Sequence, residues 1–173
     1  VEQATRHPDV PVGMLASAWG GTAIEVWMSP DALAKCPAPT SKTKSAALLA
    51  NANPDPGLGI YGSELLGGGV PTKPSVLYNA MIHPLLSLPV TAWLWYQGES
   101  NNGEGMLYHE KMKALIAGWR SVWNNPELPF YYVQLAPFRY GRDDDPRLPG
   151  IWQAQLETLK VPNTGMAVTT DIT

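Results

Sequence analysis

Val90-Thr91-Ala92-Trp93-Leu94-Trp95-Tyr96-Gln97-Gly98-Glu99-Ser100-Asn101 joins an aromatic, β-branched run to a short polar one. The first half, Val90 to Tyr96, has the composition of a strand. The second half breaks that pattern with small and polar residues, so the chain leaves the sheet at Gln97 and turns. Downstream, Tyr108, Met112, Leu115, Ile116, Trp119, Val122 and Trp123 recur at helical spacing and predict a helix over Met106–Trp123. Phe130–Leu135 then reads as a strand, Pro149–Lys160 as a helix and Gly165–Thr170 as a last strand.

Working upstream, Val10–Ser17 reads as a short buried strand and Gly20-Gly21 as a turn. Thr22 and Glu25 have the spacing of a capping box, which favours a helix start over the alternative of a loop. Ser29-Pro30-Asp31 offers an N-cap followed by proline at the first helical position, predicting a short helix to about Lys35. Ser75–Leu88 reads as a helix with Val76, Leu77, Ala80, Met81 and Leu85 on one side, kinked or ended by Pro84. Between these lies Asn51–Pro74, with six glycines and four prolines and no sustained period. A stretch of that kind is either a covering loop or a linker.

Strands alternating with helices predict an α/β fold, three-layered, with a mostly parallel sheet and helices on both faces. The nearly unbroken apolar character of the strands agrees with burial on both sides. The 173 residues fit one domain that could bury roughly 70% of its unfolded surface. Net charge is −3 and the Lys and Arg residues are scattered, which argues against a nucleic-acid partner. No apolar run approaches the ~20 residues of a membrane helix. The single cysteine, Cys36, excludes an internal disulfide framework and a cysteine-based metal cluster.

In a parallel sheet, ligands bind beyond the carboxyl ends of the strands. Those ends carry Trp19-Gly20-Gly21-Thr22, Gln97-Gly98-Glu99-Ser100-Asn101, Pro137-Phe138-Arg139-Tyr140 and Asp171. A glycine pair between strand and helix lets backbone N–H groups approach a negative oxygen, or simply makes a tight turn. Gln97 carries a side-chain N–H suited to an oxyanion. Glu99 could accept from a sugar hydroxyl or orient a neighbour; the less favoured alternative is that the loop is a polar cap for the next helix. Ser100 and Ser17 both lack the Gly-x-Ser-x-Gly frame of a nucleophile elbow. His83 reads as structural and His109 as exposed, and no histidine pair has metal-ligand spacing. Asp143-Asp144-Asp145 reads as a solvated loop.

Val12-Gly13-Met14-Leu15-Ala16-Ser17-Ala18-Trp19-Gly20-Gly21-Thr22-Ala23-Ile24-Glu25-Val26-Trp27 resembles the second block of sialate O-acetylesterase-like proteins, which are SGNH-type hydrolases. Ser75–Leu85 resembles the helix that follows, Trp95–Asn101 the third block, Pro129–Leu135 the next strand and Met166–Asp171 the strand before the last block. The resemblance implies a flavodoxin-like SGNH fold and a serine esterase removing O-acetyl groups from sugars, sialic acids being the named substrates, with no metal or organic cofactor. It implies that Gly20 or Gly21, together with Gln97, forms the oxyanion hole and that Glu99 and Asn101 contact substrate. The family's Gly-Gln-Ser-Asn nucleophile segment and Asp-x-x-His segment do not occur here, so residues 1–173 are expected to be the central part of the domain and inactive alone. Without the family's first strand, Val10–Ser17 is expected to form an exposed, aggregation-prone edge. A periplasmic or extracellular setting follows by family analogy only. The competing readings are a noncatalytic sugar-binding or scaffold relative, and a hydrolase of the same fold acting on lipid or peptide esters.

Overall fold

The computed structural model describes residues 11–36, 70–138 and 146–169. Its centre is a three-stranded parallel sheet, β1 (Trp93–Trp95), β2 (Phe130–Val133) and β3 (Thr164–Ala167), in the order β1-β2-β3. Trp93 aligns with Phe130 and Leu94 with Tyr131, while Tyr131 aligns in turn with Gly165. Helices α1 (Pro30–Lys35), α2 (Leu107–Val122) and α3 (Arg147–Thr158) complete the regular structure. The parallel α/β architecture expected from the sequence is the one observed.

Alternation along the strands decides which side is packed. Trp95, Phe130 and Tyr132 point into the core, where α2 contributes Tyr108, Met112, Leu115, Ile116 and Trp119 and α3 contributes Ile151 and Ala154. Trp119 is the hub: its ring lies 4.5 Å from that of Trp93, 5.6 Å from Trp95 and 5.9 Å from Phe130. Its indole N–H donates to the Trp27 carbonyl at 3.1 Å, so the aromatic cluster also anchors the segment that follows Gly20-Gly21. On the opposite face Leu94 is 68% exposed and Tyr131 is also exposed.

Helix α1 begins as its sequence dictates. Ser29 Oγ accepts from the Ala32 amide at 3.2 Å and Pro30 occupies the first turn. It sits close on α2 because Gly118 has no side chain; a Cβ there would stand 2.6 Å from that of Ala32.

Three local expectations are corrected. Residues 11–18 form no strand, and Val12, Met14 and Leu15 are exposed. An apolar run is only a strand where a ladder partner exists, and none of the described residues supplies one. Val10 lies outside the described residues. Thr22 does not cap a helix: the short 3-10 helix Ile24–Trp27 starts from Ala23 without a side-chain cap. Thr22 Oγ1 instead donates to the Trp19 carbonyl at 2.8 Å and accepts from Trp27 Nε1 at 2.9 Å. Finally, the helix after Ser75 widens into a π-turn at Tyr78–Ile82 and tightens to a 3-10 turn at His83–Leu85. Pro84 has no N–H to offer to the regular ladder, so the helix departs from α geometry on both sides of it. The wide turn rotates the buried face, placing Leu77, Tyr78 and Ile82 inside and leaving Ala80 exposed. The expected loop Asn51–Pro74 lies outside the described residues up to position 69, as do Asp143–Asp145 and Asp171.

Candidate functional site

The site builds from the carboxyl end of β1. After Tyr96 the chain makes its turn at Gly98, whose φ of 153° only glycine adopts readily. A Cβ at Gly98 would meet Leu135 Cδ1 at 3.0 Å and Ile151 Cδ1 at 3.2 Å, so the turn is pressed against β2's exit and α3. Glu99–Asn101 then form a 3-10 turn. Gly20 and Gly21 make the other loop, with Gly21 at φ 73° and both residues at the surface.

A buried polar network joins the two loops. Gln97 Nε2 donates to the Thr22 carbonyl at 2.9 Å and to Asn101 Oδ1 at 2.8 Å. Asn101 Oδ1 also accepts from the Ile24 amide at 3.0 Å, and its Nδ2 donates to Glu25 Oε2 at 3.2 Å. Tyr108, on α2, donates through its hydroxyl to Gln97 Oε1 at 3.0 Å or to the Gln97 carbonyl at 2.9 Å. Beneath these lies Lys111, whose ammonium is 2.6 Å from Glu25 Oε1 and 2.7 Å from Glu104 Oε2.

Burial sets the ionisation of this cluster. It pushes the Tyr108 phenol well up, so that group stays a neutral donor. It also raises the Glu104 carboxyl, a shift that the hydrogen bond and charge of Lys111 only partly offset. For Lys111 desolvation is the largest single effect and lowers its pKa, but the hydrogen bonds and charges of Glu104 and Glu25 together outweigh it. Its pKa is raised and the ammonium stays charged.

The structure thus brings Gln97 beside the Gly20–Thr22 loop and leaves Gly20, Gly21 and Glu99 facing solvent. Two expected roles sit badly with this geometry. Gln97 is 8% exposed and both hydrogens of its amide are engaged inside the protein, so in this arrangement it has none to offer an oxyanion. Asn101 is 1% exposed with its side chain bonded to Glu25, Gln97 and Ile24, which is at odds with contact to substrate.

Other candidates stand apart from the network. Ser17 Oγ donates to the Met81 carbonyl at 3.3 Å and Ser100 is half-buried on its 3-10 turn. His83 is exposed and lies edge-on to Tyr78. His109, expected to be exposed, is half-buried because α3 packs against it: its Nδ1 lies 3.0 Å from Thr158 Oγ1, and burial lowers its pKa. Among the described residues no group of three His, Cys, Asp or Glu side chains could hold a metal ion.

Sequence reasoning passed over Lys111, Glu25 and Glu104 as members of the site. For Lys111 a signal existed, since it stands three residues after Tyr108 and four before Leu115, on the apolar stripe of α2. A charge on a buried stripe needs partners.

A family model described as carbohydrate esterase, sialic acid-specific acetylesterase, matches residues 66–173. The sialate O-acetylesterase of Rattus norvegicus is 33% identical over 186 residues, covering 94% of this chain and 34% of that protein. The Homo sapiens sialate O-acetylesterase is 35% identical over 176 residues, covering 94% of this chain and 30% of that protein. The crystal structure of a carbohydrate acetylesterase from Xanthomonas citri superposes with a TM-score of 0.71 at 32% identity, covering 96% of this chain and 32% of that one. The chain therefore spans about a third of the length of the curated relatives it matches.

Proposed function

The chain belongs to the sialic acid-specific acetylesterase family of carbohydrate esterases, and on that premise we propose that it supplies the oxyanion side of a serine esterase acting on O-acetylated sugars. The observation that carries the reading is the Gln97 Nε2 to Thr22 carbonyl bond of 2.9 Å, which joins the glycine loop to the loop leaving β1. The named substrates of its relatives make O-acetylated sialic acids the first choice, with acetylated polysaccharides the alternative.

The mechanism has a serine oxygen attack the acetyl carbonyl while a histidine takes its proton. The carbonyl electrons move onto oxygen, and the backbone N–H of Gly20 or Gly21 stabilises that charge. The histidine returns the proton to the departing sugar oxygen, and water then releases acetate from the serine. The family's serine and histidine segments do not occur in these 173 residues, so in this proposal they come from sequence outside them. Gln97 holds Thr22, and with it the glycine loop, in place. Glu99, which is exposed, accepts a hydrogen bond from a sugar hydroxyl in this reading.

The test is turnover by a protein extended to the relatives' length, offered acetylated sialic acid, acetylated xylan and long-chain esters. Release of acetate from either sugar, with long-chain esters untouched, is the expected result. A folded protein that binds the sugars without turnover would favour a noncatalytic relative, and preference for long-chain esters would overturn the substrate class.

A further inference from the structure

We propose that Lys111 is a positioning residue that holds the Gly20–Glu25 and Gln97–Glu104 segments in register with one another. The inference deepens the esterase reading and rests on it for its catalytic consequence, but the geometry belongs to the chain itself.

Three charges meet in the interior. The Lys111 side chain is 1% exposed, and the side chains of Glu25 and Glu104 are 9% and 12% exposed. Burying such a group is a poor way to gain stability, since a well-packed apolar side chain often does as well or better. What the charges do supply is direction. Each carboxylate sits on a different segment, Glu25 in the 3-10 turn after the glycine pair and Glu104 just past the Glu99–Asn101 turn. Lys111 reaches both from the first half of the sixteen-residue helix α2, which packs on the sheet. The position is relayed onward: Glu25 Oε2 accepts from Asn101, whose Oδ1 holds the Ile24 amide and Gln97, and Gln97 holds the Thr22 carbonyl.

The groups facing Lys111 determine what its loss would do. Glu25 and Glu104 pair with it directly, Asn101 donates to Glu25, and the Tyr108 phenol feels the charges of Glu99, Glu104 and Glu25. In Lys111→Met the two carboxylates would face each other without a cation. Two buried carboxylates can share one proton but cannot both ionise cheaply. The segments would then hold together at low pH and be driven apart at high pH.

Amide hydrogen exchange of the chain, followed by NMR, reads this directly. At pH 8, Lys111→Met is expected to reduce protection of the Ile24 amide by about ten- to a hundredfold relative to the parent. Amides within α2 should change about twofold or less, and the Ile24 deficit should shrink at pH 5. Lys111→Arg, which keeps the charge, should restore most of the protection. An Ile24 deficit that ignores pH, or one matched by equal loss throughout α2, would overturn the proposal. If Lys111→Met does not fold, Glu25→Gln is the second variant: with one carboxylate left it should loosen Ile24 at pH 8 and pH 5 alike, and unchanged protection would refute the relay. In the extended protein, Lys111→Met should lower kcat far more than it raises KM, with recovery toward acid pH. Absence of acetyl turnover in the parent would remove the esterase reading while leaving the exchange result to decide the role of Lys111.

Discussion

Replacing Gly98 by alanine probes the turn that aims the candidate site, and its effect can be worked from the structure. The backbone there holds φ at 153° and ψ at −22°, a region that costs a residue with a Cβ about 1–3 kcal/mol. The new methyl would stand 3.0 Å from Leu135 Cδ1, 3.1 Å from Leu135 Cγ and 3.2 Å from Ile151 Cδ1. Leu135 and Ile151 are themselves fully packed, so overpacking adds about 1–3 kcal/mol. The reduced freedom of the unfolded chain returns only about 0.4–1 kcal/mol. The net expectation is a loss of about 2–5 kcal/mol, or roughly 4–20 °C in melting midpoint for a chain of this size. Urea unfolding followed by tryptophan fluorescence would measure it. A double-mutant cycle with Leu135→Ala isolates the leucine's share, because removing it relieves the two closest contacts and leaves the Ile151 contact and the backbone term. Gly98→Ala should cost about 1–2 kcal/mol less in that background. Strict additivity would eliminate the clash with Leu135, and an unchanged midpoint in the single variant would refute both arguments.

Gln97→Ala in the extended protein should lower kcat about ten- to a hundredfold with little change in KM, and should also lower stability by about 1–3 kcal/mol, because Thr22, Asn101 and Tyr108 lose a partner. A fall in kcat with no loss of stability would mean that Gln97 donates to the reaction directly rather than holding the loop. Glu104→Gln tests the raised carboxyl pKa: since burial disfavours the ionised form, the stability of the parent relative to Glu104→Gln should be greatest below the ordinary glutamate range. That advantage should fall as pH rises through the raised value, and a difference that grows with pH in thermal melts would contradict the assignment.

The fold was legible wherever one physical signal dominated. Trp93–Trp95, Phe130–Val133 and Thr164–Ala167 lie inside the strands expected, or within a residue of them; the aromatic residues of the first two have a core to enter, and Met166 of the third packs against it. Helix α2 was legible from its stripe, and α1 from Ser29 and Pro30, whose effects are local. Residues 11–18 were not, because a strand is made by its neighbour and no local pattern reports whether that neighbour is present. The π-turn at Tyr78–Ile82 escaped for a related reason: Pro84 announces a disturbance but not which way the ladder will shift, and so Tyr78 replaced Ala80 on the buried face.

The site shows a different limit. The order of residues located both loops, since glycines and polar residues cluster where strands end, but it could not say which polar atoms face outward. Gln97 and Glu99 are two residues apart, and one is buried while the other is exposed. The distinction comes from partners remote in sequence. Thr22 and Tyr108 draw the Gln97 amide inward, and Asn101 follows because Glu25 and Ile24 hold it. Each of these residues would be unsatisfied without the others, so their burial is decided together and in three dimensions. Lys111 is the one member whose oddity was visible alone, as a charge on an apolar stripe. Its two carboxylates lie 86 and 7 residues away along the chain, and that separation is why the charge could be noticed but its purpose could not be read.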